Sequence, residues 1–159
     1  QVTDGGNDPS EADDAACLNI AGTPVETFST WFVWTAAESG SLTFALTPIN
    51  ETDDLDFVLY EFPNGPGDCS GKTVLRCMAS SCIGPTGLND TALDISEAPG
   101  CGPGDDNFLA AVQMEEGVTY GLMVNNFSQT TIGFEVEFGG TASFVGGEER
   151  LAAEADEVC

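Results

Sequence analysis

From about residue 27 onward the apolar residues recur at every second position, in runs of five to nine broken by Gly, Pro, Asn and Asp. That period of two suits strands with one buried face and does not suit helices. The clearest run is residues 133–138 (GFEVEF), with Phe134, Val136 and Phe138 on one face and Glu135 and Glu137 on the other. Residues 41–47 (SLTFALT) place Leu42, Phe44 and Leu46 together. Residues 54–62 (DLDFVLYEF) do the same with Leu55, Phe57 and Leu59. Further strands are expected over residues 27–35 (TFSTWFVWT), 74–79, 108–114 and 119–126, with a short edge at 142–145. Glu115-Glu116-Gly117-Val118 is expected to form a hairpin turn between two of them.

Seven or eight such strands, with no amphipathic helical run, predict an all-β, jelly-roll-like antiparallel sandwich. The expected organisation is an acidic N-terminal arm over residues 1–16, the sandwich over 17–145, and an acidic tail or linker over 146–159. Between Pro63 and Asp106 only residues 74–79 read as a strand. This long loop holds four cysteines and many Gly and Pro residues, so disulfides would have to order it.

The six cysteines are Cys17, Cys69, Cys77, Cys82, Cys101 and Cys159, with no CxxC pair and no histidine in the chain. Zinc would need clustered thiolates or imidazoles, so the set predicts disulfides and an oxidising, extracellular compartment. Short loop closure favours Cys69–Cys77 and Cys82–Cys101, leaving Cys17–Cys159 to tie the ends. Gln1 and the polar residues after it read as a mature N-terminus left by signal cleavage, or as a domain boundary. No stretch is apolar for long enough to span a bilayer as a helix.

Three Lys and Arg against 27 Asp and Glu give a formal charge of −24. Such a chain repels phosphates, so nucleic acid and anionic membrane are not expected partners, and without a long apolar stretch no membrane insertion is expected. Without histidine there is no serine triad. The chain also has no GxSxG elbow, no phosphate loop with its lysine and no dinucleotide fingerprint. The sequence therefore reads as non-catalytic.

Three acidic clusters offer hard oxygen ligands: Asp4/Asn7/Asp8/Glu11/Asp13/Asp14, then Asp53/Asp54/Asp56, then Asp105/Asp106/Asn107. Calcium takes roughly six to eight such oxygens, and none of the clusters has EF-hand spacing. The plainer reading is solvated acids and Asx turns. Trp31 and Trp34, three apart on a strand, point to opposite faces. Core packing is the first reading for both, and a sugar-stacking platform the alternative. Asn50, Asn89 and Asn126 head Asn-x-Ser/Thr triplets, acceptors in a eukaryote. Asp90-Thr91-Ala92 fits a short bacterial O-glycosylation pattern centred on Thr91.

The order of these features resembles the bacterial pre-peptidase C-terminal (PPC-like) domain family over roughly residues 5–145. The matching elements are GGNDPSEADDAACLNI, TFSTWFVWT, GSLTF, DLDFVLYEF, GVTYGLMVNN and GFEVEFGGTA. It is closer to a variant found in large exported surface proteins of Bacteroidota, in which VLRCMASSC and the following TGL interrupt the sandwich. The resemblance implies an accessory module for adhesion, substrate binding or spacing. It also implies calcium held by Asp4, Asn7 and Asp8 with Asp54 and Asp56, the inserted cysteine-rich loop being the departure from the family pattern. The function expected is a non-catalytic, secreted or cell-surface module in adhesion or assembly, filaments included, with other domains or subunits as partners. The alternative is a carbohydrate-binding module meeting glycans through Trp31 and Trp34.

Overall fold

The computed structural model describes residues 12, 14–20, 23–24 and 26–144. In chain order it holds a 3-10 turn (Ala16–Leu18), then β1 (Asn19–Ile20), β2 (Thr23–Pro24), β3 (Ser29–Glu38) and β4 (Gly40–Pro48). These are followed by β5 (Leu55–Phe62), β6 (Thr73–Ser80), β7 (Thr86–Asn89), β8 (Ser96–Gly100) and β9 (Phe108–Ala110). The last four strands are β10 (Val112–Met114), β11 (Thr119–Asn126), β12 (Phe134–Gly140) and β13 (Ser143–Phe144). The fold is the all-β sandwich that the alternation implies.

One sheet runs β13-β3-β11-β5-β6-β8. The other is built on β4. Leu42 pairs with both Val112 and Gly140, and Phe44 with both Leu88 and Phe138. Hence β12 occupies one edge of β4, while β10 and β7 share the other end to end, and β9 lies beyond β7. Both sheets are mixed: β6–β8 and β7–β9 are parallel, where the sequence suggested antiparallel pairing throughout.

Leu42, Phe44 and Leu46 meet Leu55, Phe57, Leu59, Leu122 and Val124 between the sheets, with Trp34 and Phe32 closing the core. Phe134, Val136 and Phe138 pack against it from β12, in the phase the alternation gives. A second core lies on the outer face of the six-stranded sheet. There Trp31, Val58, Tyr60, Cys77 and Met123 are roofed by Ala12, Ala15, Cys17 and Leu18. Ala12 and Ala15, assigned from sequence to the arm, are therefore core residues, 0% and 1% exposed. This roof explains why β11 is buried at every position, as a strand covered on both faces must be.

Cys82–Cys101 forms as expected, tying the chain just after β6 to the chain just after β8 (Cα–Cα 4.9 Å). The other two expected pairs do not form: Cys17 is bonded to Cys77 (Cα–Cα 5.8 Å), and Cys69 is disulfide-bonded elsewhere. The reason is the reach of β6. Thr73 to Cys77 is extended, about 13 Å at the usual strand rise, too far for Cys77 to return to the turn holding Cys69. Cys77 instead faces the roof. Cys159 lies outside the described residues.

The loop expected from Pro63 to Asp106 contains β7 and β8 besides β6. Residues 108–114 form two strands and not one. Arg76 donates from Nε to the Ala110 carbonyl (2.6 Å) and from Nη2 to the Ala111 carbonyl (2.8 Å). Ala110 and Ala111 send their N–H groups to Asp94 and Asn89. These partners draw the backbone out of a single ladder at that point.

Candidate functional site

The two ladders around β5 bring the second acidic cluster to one end of the six-stranded sheet. Because Leu55 and Phe57 face the sandwich core, Asp54 and Asp56 fall on the other face. Asp56 pairs in register with Asn125 of β11. The Asn125 side-chain carbonyl accepts the Thr27 N–H at 2.6 Å, so its amide nitrogen turns to Asp56 Oδ2 at 3.3 Å. Asp54 is held by its backbone. Its N–H donates to Ser128 Oγ (2.8 Å) and its carbonyl accepts from Phe127 N (3.0 Å).

Both acids line a pocket of about 90 Å³ whose other walls are Cys17, Leu18, Ala79, Ser81, Pro99, Gly100 and Phe127. Asp56 is 5% exposed, and one carboxylate oxygen of each acid, Oδ1, is buried without a hydrogen-bond partner. Orphaned carboxylate oxygens are costly in a folded protein unless neutralised or occupied. Burial drives the Asp56 carboxyl up to about 8, with the neighbouring Asp54 pushing the same way and the Asn125 hydrogen bond opposing. Burial also raises Asp54.

The remaining members of the three clusters are arranged otherwise. Asp53 accepts from Asn50 Nδ2 (2.6 Å) and from Thr130 Oγ1, locking the two loops at this end together. Asp14 is bridged to Lys72 at 3.1 Å and accepts from the Tyr60 hydroxyl. In the third cluster Asp105 accepts from Gly102 N, Asp106 from Phe108 N, and Asn107 donates to the Cys82 carbonyl. Glu97 accepts the N–H groups of Asp106 and Asn107. The acids of this third cluster wire turns. Asp4, Asn7, Asp8, Glu11 and Asp13 lie outside the described residues.

Among the described residues no group of three or more His, Cys, Asp or Glu is placed to hold a metal ion. The Asp54/Asp56 pocket thus supplies two carboxylates toward a calcium sphere of roughly six to eight oxygens. The orphaned oxygens fit a cation, but a complete calcium site would need further donors.

Trp31 and Trp34 do point to opposite faces, and both are buried, at 3% and 8% exposure. Trp31 stacks on Tyr60 under the roof, and Trp34 stacks on Tyr120 in the main core. Neither indole has a face open to a sugar. Of the triplet asparagines, Asn126 is buried with its amide donating to Thr130, and Asn50 donates to Asp53. Asn89 accepts three hydrogen bonds from Thr91 and Ala92 in a turn, and Thr91 is exposed.

The pocket walls from Leu18, Ala79, Pro99 and Phe127 were not foreseen. Their one sequence signal is Asn125-Asn126 ending an apolar strand, polar residues that need partners on the strand alongside. No family model, curated protein or solved structure matches the chain. Two disulfides fit an oxidising compartment. Among the described residues no helix is long and apolar enough to cross a membrane.

Proposed function

We propose that this chain is a non-catalytic extracellular module of a secreted or cell-surface bacterial protein of PPC-like type, acting in adhesion or assembly. The observation that carries this reading is the recess at the end of the sandwich, where two acids with orphaned oxygens meet apolar walls. A disulfide-tied scaffold with an acidic, apolar-walled recess at a loop end is suited to binding. Beads carrying the chain, passed over surfaces coated with basic protein, acidic protein or glycan, test it. Retention on at least one surface should fall when Asp54 and Asp56 both become Asn. Equal retention of the two bead types on every surface would sink the reading.

A second reading is favoured by the same orphaned oxygens: a stabilising calcium ion. Asp54 and Asp56 would hold it, with the remaining oxygens from Asp4, Asn7 and Asp8 of the segment that leads into the roof. A ligand that binds only the folded form raises its melting temperature by mass action. Calcium against chelator at matched ionic strength should then raise the melt of the wild type and leave Asp56→Asn unmoved.

A further inference from the structure

Natural sheets blunt their open edges with short strands, proline and irregular ladders. This sandwich does so at β13 and β9, two and three residues long, and at β8, which carries Pro99 and a register shift against β6. It does not do so at β12. That strand runs seven residues, pairs with β4 without a bulge, and among the described residues has no strand beyond it. The hydrogen bonds just past its two ends fix which groups it leaves open. Ile49 N donates to the Gly133 carbonyl (3.1 Å) and Thr141 N to the Ser41 carbonyl (2.9 Å). Bonded pairs alternate along an antiparallel ladder, so Glu135 and Glu137 exchange their bonds with β4. Phe134, Val136 and Phe138 therefore aim their N–H and C=O groups away from β4, at the open edge.

The side chains define the strand that would complete this edge. On the core side Phe134, Val136 and Phe138 are only half-buried, whereas Leu42, Phe44 and Leu46 on the adjoining β4 are at most 2% exposed. An added strand with apolar residues on that side would cover the row. On the outer side Glu135 and Glu137 are exposed, and their partners on β4, Thr47 and Ala45, bring no positive charge. A second copy of this chain is a poor occupant. Two β12 edges paired over their full length set Glu135 beside the other copy's Glu137, and like charges directly opposite destabilise a ladder. We infer that the β12 edge takes up an extended, basic segment of a different protein, in which apolar residues alternate with lysine or arginine. Backbone hydrogen bonds hold the segment, and its cations lie beside Glu135 and Glu137 on a chain of charge −24. This rests on reading the chain as a binding module, and it adds a contact surface built from residues other than those of the recess.

The test uses a synthetic peptide as long as β12 that alternates valine with lysine, and reads amide hydrogen exchange in the full chain. One control replaces lysine by glutamate. The other methylates the backbone nitrogens of the lysine peptide, which keeps its charge and removes its donors. Expected is slowed exchange at the Phe134, Val136 and Phe138 amides with the lysine peptide and with neither control. Glu135→Gln together with Glu137→Gln, both at exposed positions, should weaken that binding about five-fold, the range of two opposite-charge cross-strand pairs. Equal protection by either control, protection at other amides only, or no protection would overturn the inference. So would protection of the edge amides that grows with protein concentration in the absence of peptide, since the occupant would then be a second copy. If the edge fails while bead retention still depends on Asp54 and Asp56, the binding-module reading stands without this surface. If the edge amides are protected while retention is independent of both acids, the recess is not the contact and the edge is.

Discussion

Asp56 is the residue whose environment departs furthest from what its own chemistry prefers. Its carboxyl titrates near 8 in the folded protein and near 4 in an unfolded chain. Between those values the native state keeps a proton that the unfolded state has lost. Its stabilising effect is complete below about pH 4 and is lost as pH rises through about 8. In chelator the melting temperature should therefore fall from pH 5 to pH 8.5, with Asp54, raised in the same direction, adding to the slope. Asp56→Asn should flatten this profile and melt above the wild type at pH 8.5, the gap closing toward pH 5. Parallel profiles would show that Asp56 is ionised and satisfied by a partner. The sequence marks Asp54 and Asp56 as opposite in phase to Leu55 and Phe57, and that phase is correct. What alternation cannot tell is whether the opposite face meets water or a roof. Ala12 and Leu18, distant in sequence, decide that.

At the scale of elements, the strands that alternate were legible and those that do not were missed for identifiable reasons. Gly87 reads as a breaker within Thr86–Asn89. In the structure it lets β7 lie against β4: a Cβ there would sit 2.0 Å from the Phe44 carbonyl oxygen. Gly87→Ala should cost more than about 2 kcal/mol in denaturant melts, the range of a steric conflict with backbone. A cost below about 0.5 kcal/mol would mean that β7 can shift away freely. Strand β8 (SEAPG) carries no apolar alternation because it is a parallel edge, mostly exposed. The disulfides obey the same logic. Sequence spacing favours short loops, whereas the fold joins Cys17 to Cys77 across 60 residues, because that bond holds the roof on the sheet. Replacing both by Ser should cost about 2–5 kcal/mol, and more than replacing Cys82 and Cys101, whose loop is shorter. The fluorescence of Trp31, which lies under that roof, should shift to the red in the same variant. A blue-emitting variant of unchanged stability would show that apolar contacts alone retain the roof.

For the molecule as a whole, charge sets the conditions under which the fold persists. With 27 acids against three cations, and Lys72 and Arg76 engaged internally, exposed carboxylates crowd the surface without partners of opposite sign. Repulsion of this kind acts over the Debye length, about 30 Å at 0.01 M salt and about 8 Å at 0.15 M. At low salt the acids of both sheets therefore act on one another across the domain, and at physiological salt only near neighbours do. The unfolded chain spreads the same charge over a larger volume, so low salt weakens the folded state. Raising sodium chloride from about 0.01 M to about 0.5 M should raise the melting temperature by several degrees, with most of the gain at the low end. Choline chloride should do the same, since screening is indifferent to the cation. The Asp54→Asn/Asp56→Asn double variant should keep this dependence almost whole, because it removes two acids of 27. A site at the recess would instead show as an increment that is specific to one cation, persists at 0.5 M salt and vanishes in that variant. A flat response to both salts would mean that the surface acids are too far apart to oppose folding. Among the described residues, negative charge would then bear on stability through buried groups such as Asp56 and not through the surface.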